Sequence, residues 1–150
     1  MTQTLAFAND HAGYLLKDFL IEEARSLGFE TVDLGTNSAD SVDYPDFGFA
    51  VAEALKSGKA SLGVLICGTG IGIGIAANRY AWVRAATCHD VTSARLAREH
   101  NDANVLSLGE RLVGPEVAKE MVRVFLTTDF SGGERHMRRV GKLSDPQKLD

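Results

Sequence analysis

Leu62-Gly63-Val64-Leu65-Ile66-Cys67, followed at once by Gly68-Thr69-Gly70-Ile71-Gly72-Ile73-Gly74, is the passage that decides the fold. An apolar run this short, with no polar residue inside it, is a strand buried on both faces, the situation of a central strand in a parallel sheet. The glycines demand a tight loop, and Ile75–Tyr80 behind them reads as a helix, so strand, loop and helix form the first half of a βαβ unit. Working outward, the same alternation recurs. Toward the N-terminus lie a strand at Thr4–Ala8, a helix with Leu16, Phe19, Leu20, Ala24 and Leu27 on one face that stops at Gly28, a strand at Phe29–Leu34 and a helix at Phe47–Ser57. Between these last two, Gly35 to Asp46 is too polar for a core element and reads as a loop placed to reach a site. Toward the C-terminus come a strand at Val83–Cys88, a helix at Val91–Glu99, a strand at Val105–Leu108, a helix at Pro115–Leu126 opened by proline, and a basic helix at Glu134–Lys142. The tail from Ser144 to Asp150 is polar and expected to fray. Strands alternating with amphipathic helices predict an α/β fold, a Rossmann-like three-layer sandwich with a five-stranded parallel sheet.

The composition narrows the function. With 150 residues and 45% hydrophobic content, residues 1–150 supply one core and are expected to form one domain. A net charge of -4 lacks the basic excess of a protein that grips a nucleic-acid backbone, so any anion site is local. No apolar run reaches the roughly 18 residues of a membrane helix. Cys67 and Cys88 lie on separate elements, and nothing before them reads as a secretory apolar segment flanked by basic residues; a reducing cytoplasm is the expected compartment.

In an open parallel sheet, ligands collect beyond the carboxyl ends of the strands. The residues expected there are Asn9, Asp10 and His11 after the first strand, Cys67 and the glycine loop after the third, His89 and Asp90 after the fourth, and Gly109 to Arg111 after the fifth. The loop is not a dinucleotide fingerprint, because Ile73 stands where the third glycine after Gly68 and Gly70 belongs, and no Gly-Lys-Ser/Thr makes it a P-loop. What remains is a set of backbone N–H groups able to converge on an oxyanion, or simply close packing of helix on strand. Backbone donors beside Cys67 favour its thiolate, which suits a base; the plainer alternative is a small buried hydrophobe, and that is how Cys88 reads. Among the histidines, His11 beside Asp10 and His100 beside Asn101 and Asp102 have polar company, whereas His89-Asp90 fits a helix cap. Arg135 and Arg139 lie one turn apart on one helix face and suit bidentate phosphate capture, with a solvated basic face as the alternative. Since the last helix has no obvious path back to its own strand ends, it is expected to serve a neighbouring subunit.

The blocks Asp10-His11-Ala12-Gly13, Asp43-Tyr44-Pro45, Cys67-Gly68-Thr69-Gly70, Ala76-Ala77-Asn78-Arg79, His100-Asn101-Asp102-Ala103-Asn104-Val105-Leu106 and Gly132-Gly133-Glu134-Arg135-His136 together resemble type B ribose-5-phosphate isomerases and the related galactose-6-phosphate isomerase subunits. The likeness spans nearly the whole chain. It implies a homodimer or dimer of dimers with shared sites, no metal and no cofactor, and a place in the pentose phosphate pathway. It further implies that Cys67 is the base and that Thr69, with the backbone of Gly68, Gly70, Ile71 and Gly72, stabilises an enediolate. By the same likeness, the partner chain's His100 opens the sugar ring, and Asp10 and Asn101 meet sugar hydroxyls or orient the acid-base groups. His11, Arg111, Arg135 and Arg139 hold the phosphate, the last two from the partner chain, and Tyr44 lines the pocket. The C-terminal helix, about 134–143, packs on that partner. Family members without the cysteine use a glutamate later in the loop; here those positions carry Gly74 and Ile75. Asn9 departs from the cysteine or other small residue often found beside the Asp-His pair, and is expected to tune the pocket.

Isomerising an aldose phosphate needs a positioned base, a stabilised enediolate and a proton carrier for ring opening, with no redox cofactor. Ribose 5-phosphate and ribulose 5-phosphate are the expected pair, with a tetrose 4-phosphate or hexose 6-phosphate as alternatives. A non-catalytic sugar-phosphate-binding module is the second class of reading. A nicotinamide-dependent dehydrogenase is the third, and the glycine spacing disfavours it.

Overall fold

The computed structural model describes residues 1–146. In chain order the elements are β1 (Thr4–Asn9), α1 (Tyr14–Ser26), β2 (Glu30–Asp33), α2 (Tyr44–Lys56), β3 (Leu62–Cys67), α3 (Ile71–Ala77), β4 (Ala85–Thr87), α4 (Val91–Asn101), β5 (Val105–Gly109), α5 (Pro115–Thr127) and α6 (Glu134–Ser144). The five strands form one sheet in the order β2-β1-β3-β5-β4, every pairing parallel. The apolar run Leu62–Cys67 is thus the middle strand, and its near-complete burial follows from helices on both faces.

Because side chains alternate across a strand, each face receives every second residue. Leu5, Phe7, Val64, Ile66, Leu106 and Leu108 pack with Leu20 of α1, Ala94 of α4 and Met121 of α5. Ala6, Ala8, Leu65, Cys67 and Val105 pack with Val51 of α2 and Ile73 of α3. Truncating a fully buried member such as Ile66 to alanine costs about 2–5 kcal/mol, from lost transfer energy and the cavity left behind. The second face is built from smaller residues, which lets α2 and α3 sit close to the end of β3 where Cys67 emerges.

Several boundaries differ from the sequence expectation. α2 starts at Tyr44 rather than Phe47, because Asp43 is extended and Pro45, in the first turn, is pre-set for helix entry. α3 starts at Ile71, inside the glycine run, rather than at Ile75. Glycine is required at position 72 because the Tyr44 ring occupies the space a side chain needs: a methyl group there would sit 2.7 Å from it. β2 and β4 are shorter than read, with Val83 and Cys88 outside the ladder. α6 continues to Ser144, and of the expected frayed tail residues 147–150 lie outside the described residues. α6 rests against α4 and buries none of its residues. Among the described residues no helix is long and apolar enough to cross a membrane.

Candidate active site

The carboxyl end of β3 is stitched to the turn after β5. The carbonyl of Cys67 accepts the Glu110 N–H at 2.9 Å and that of Gly68 accepts the Arg111 N–H at 3.1 Å. This lays the Arg111 side chain against Gly68, where a methyl group would stand 3.2 Å from Nη1. Gly70 then turns the chain with φ at +77°, a left-handed conformation suited to glycine, and aims its N–H at Cys67 Sγ from 3.1 Å. That donor orients the sulfur. The carbonyl of Gly70 accepts hydrogen bonds from Ser107 Oγ at 2.5 Å and Thr87 Oγ1 at 3.3 Å, which lock the turn. Thr69 Oγ1 accepts the N–H of Ile71 at 3.2 Å.

Around the sulfur lies a cavity of about 180 Å³ lined by Asp10, His11, Ala12, Tyr44, Cys67, Gly68, Thr69, Gly72 and Arg111. Asp10 is buried, and its Oδ1 accepts the Ala12 N–H at 2.9 Å, so the carboxylate is held by its own turn. His11 Nδ1 accepts the N–H of Val42 at 3.2 Å, which places the ring proton on Nε2. A histidine donor, a guanidinium and a thiol therefore share one small polar pocket, fit for an anionic group at one end and proton transfer at the other. Two expected contacts act otherwise. Gly70 and Ile71 do not line the cavity: Gly70 works through its N–H to Sγ, and the Ile71 side chain is half exposed.

A second cluster forms away from the first. His100, in the last turn of α4, stacks in parallel on His136 of α6 with ring centroids 4.6 Å apart, and its Nε2 lies 3.8 Å from Glu99 Oε1. Desolvation pushes the His136 imidazole pKa down, helped by the charges of His100, Arg135 and Arg139 and opposed by Glu99. Asn101 lines a different cavity, of about 480 Å³, with Asn78, Arg79, Tyr80 and Arg84. This cluster sits at the amino edge of the sheet. Val105, just after it, pairs with Gly63, and four residues of strand at about 3.3 Å each separate Gly63 from Cys67, roughly 13 Å. The chain does not bring His100, Asn101, Arg135 or Arg139 to its own Cys67.

Other assignments also fall into place. Cys88 is core material, and burial pushes its thiol pKa up against a hydrogen bond with Ser93. Asp90 caps α4, accepting the Ser93 N–H at 2.7 Å. Asn9 does not line the pocket it was expected to tune; fully buried behind it, its Nδ2 donates to the carbonyls of Asp10 at 3.0 Å and Thr36 at 2.9 Å. Two residues had drawn no functional reading from the sequence. One is Ser107, a buried hydroxyl in an apolar strand; the other is Lys17, whose Nζ donates to Asp33 Oδ1 at 3.1 Å, the Thr36 carbonyl at 2.9 Å and Asn37 Oδ1 at 2.6 Å. Lys17 thereby pins the loop that leads to Val42 and Tyr44. A lysine one turn before Ile21, on the apolar face of α1, was the available signal. Among the described residues no three His, Cys, Asp or Glu side chains converge as a metal ion would require.

Comparison with known proteins agrees along the length of the chain. The sequence pattern of the Ribose/Galactose Isomerase family matches residues 5–143. Ribose-5-phosphate isomerase B of Escherichia coli is 46% identical over 140 residues, 93% of each chain. Among solved structures, ribose-5-phosphate isomerase B of Clostridium thermocellum superposes with a TM-score of 0.92 at 49% identity, covering 97% of both chains. The type B ribose 5-phosphate isomerase of Trypanosoma brucei superposes with a TM-score of 0.95 at 42% identity, covering 98% of this chain and all of that one.

Proposed function

The chain belongs to the ribose/galactose isomerase family, and from that premise we propose that it interconverts ribose 5-phosphate and ribulose 5-phosphate through an enediolate, with Cys67 as the base. The observation that carries this reading is the 3.1 Å hydrogen bond from Gly70 N–H to Cys67 Sγ, inside a cavity that also holds His11 and Arg111. His11, through Nε2–H, and Arg111 hold the phosphate, and the binding energy released there, remote from the reacting carbons, fixes C1 and C2 over the sulfur. Cys67 removes the C2 proton of the open-chain aldose. The enediolate left behind is met by Thr69 Oγ1 and by the backbone N–H groups of Gly68 and Gly72, which line the cavity and are in place before charge develops. Returning the carbon-bound proton to C1, with a proton passing from O2 to O1, yields the ketose. Asp10, held by its own turn, orients the hydroxyl protons.

The remaining groups come from a second subunit. His100 of one chain opens the furanose over its partner's Cys67, Asn101 meets a sugar hydroxyl, and Arg135 and Arg139 close on the phosphate. The separation of the two clusters at opposite sheet edges supports this reading, as does a helix α6 none of whose residues is fully buried among the described residues. The 150 residues then act as one isomerase domain in a homodimer or dimer of dimers, working in the cytoplasm in the pentose phosphate pathway.

The test is proton exchange in heavy water. Four-, five- and six-carbon aldose and ketose phosphates are incubated with the protein and with Cys67→Ala, and followed by NMR. Conversion of ribose 5-phosphate with deuterium entering at the reacting carbon, lost in the variant while phosphate binding persists, is the expected result. Preference for a tetrose 4-phosphate or hexose 6-phosphate would replace the substrate, full activity of Cys67→Ala would remove the base, and no conversion at all would leave a binding module.

A further inference from the structure

The end of α4 is built in an unusual way. Asp102, its C-cap, adopts φ 44° and ψ 44°, and among the described residues it is the one non-glycine with positive φ. The backbone closes the helix with Asp102 N–H to the Arg98 carbonyl at 3.2 Å and Ala103 N–H to the Ala97 carbonyl at 3.0 Å. Glycine is the usual occupant of that left-handed position; aspartate is tolerated there better than most residues, but less readily than glycine. A side chain retained there is a reason to ask what it holds.

It holds two arginines. Arg98 Nη1 donates to Asp102 Oδ1 at 3.0 Å and to the Ala103 carbonyl at 2.6 Å. Arg84 Nη2 donates to Oδ2 at 3.1 Å, and Arg84 Nε to the Asp102 carbonyl at 2.9 Å. The backbone of Arg84 is fixed in turn: its N–H donates to Asn104 Oδ1 at 2.7 Å, and its carbonyl accepts the Asn104 N–H at 3.1 Å. The last turn of α4 is thus bolted to the segment entering β4. His100, two residues before the clamp, has a half-exposed imidazole stacked on His136.

We propose that Asp102, clamped by Arg84 and Arg98, is a positioning residue for His100, holding the end of α4 so that the imidazole is presented to the partner's cavity in the geometry that opens the sugar ring. The proposal rests on the reading of His100 as the ring-opening group. A cap serving stability alone would affect every step of turnover; a clamp serving His100 affects ring opening selectively.

The two steps are separable by substrate. Ribose 5-phosphate is a closed furanose that must open before C2 can lose its proton. Ribulose 5-phosphate, with its C5 oxygen phosphorylated, cannot close a five-membered ring and is already open, so deuterium exchange at its C1 reports enolisation alone. The readout is the ratio of ribose 5-phosphate conversion to ribulose 5-phosphate exchange in the full-length protein. Asp102→Gly keeps the backbone conformation and removes the carboxylate, and is expected to lower that ratio by about tenfold. Asp102→Asn, which tolerates the same backbone and keeps one acceptor, is expected to recover part of it and carries the test if the glycine variant folds poorly. His100→Asn is measured alongside and is expected to lower the ratio as well. If it does not, the ring-opening reading fails and the proposal falls with it. If His100→Asn shifts the ratio while the Asp102 variants leave it at the wild-type value, whether their rates fall together or not at all, the proposal alone is overturned.

Discussion

Two inactive variants should restore each other. Cys67→Ser removes the base and His100→Asn the ring-opening group, and neither protein alone is expected to convert ribose 5-phosphate. In one chain the two residues sit at opposite edges of the sheet, separated by the roughly 13 Å of strand from Gly63 to Cys67, so under the proposed reading each site draws them from different subunits. In a mixed dimer, one site combines serine with asparagine and is dead, while the other combines an intact Cys67 with an intact His100. Random exchange makes about half the dimers mixed, each with one working site of two, so an equimolar mixture should regain about a quarter of wild-type activity. A dimer of dimers gives the same fraction if its sites lie within each dimer. The assay is the isomerisation rate after co-refolding, with native mass spectrometry on differently tagged chains to show that mixed dimers formed. Mixed dimers without activity would refute the shared site, because a site built within one chain predicts zero recovery.

Two further outcomes follow from buried charge. Lys17→Met leaves the Asp33 carboxylate and the acceptors of Thr36 and Asn37 without their cation; since Asp33 is 34% exposed and water reaches it, the loss should fall near the low end for a broken buried pair, about 3 kcal/mol by urea denaturation. The same variant should raise KM more than it lowers kcat, because the loop that presents the Val42 N–H to His11 loses its anchor, and an unchanged KM would sever that link. Burial, together with the nearby Asp10 charge, raises the Glu110 carboxyl above the ordinary range despite a hydrogen bond from the Leu16 N–H. The native state therefore holds that proton more tightly than the unfolded chain, and this group's stabilising contribution is full in acid, below the unfolded value, and lost as pH rises through the native one. Glu110→Gln should accordingly be more stable than wild type at neutral pH, with the gap closing in acid; thermal melts across pH test the sign.

What was legible in the sequence depended on whether the cause was local. A strand at Leu62–Cys67 could be read because an unbroken apolar run has one explanation, and the convergence of Asp10, His11, Cys67, Thr69 and Arg111 followed because parallel strands share a carboxyl edge. The start of α3 could not, since Gly72 and Gly74 argue against a helix by propensity. The reason these helical positions are glycine is non-local: the Tyr44 ring fills the space beside Gly72, and the Thr87 and Ser107 hydroxyls fill it beside Gly74. Strand order was equally hidden, because β5 inserts between β3 and β4 through hydrogen bonds between short runs that look alike. Lys17 reads as a misplaced charge until its partners, 16 to 20 residues away, are seen folded back over it.

The two clusters also explain each other. α6 is an 11-residue amphipathic helix with no buried residue, and Met137 and Leu143 are each more than half exposed. A helix of that length is marginal in water without tertiary packing, and the described residues leave much of its apolar stripe exposed. The same helix carries Arg135 and Arg139, and His136 between them stacks on His100. Under the proposed pairing, the contact that buries Met137 and Leu143 is the one that delivers two guanidinium groups and the ring-opening imidazole to the neighbouring sulfur. Association and catalysis then share one free-energy term: a substrate phosphate gripped by both chains tightens the dimer by as much as the dimer tightens the substrate.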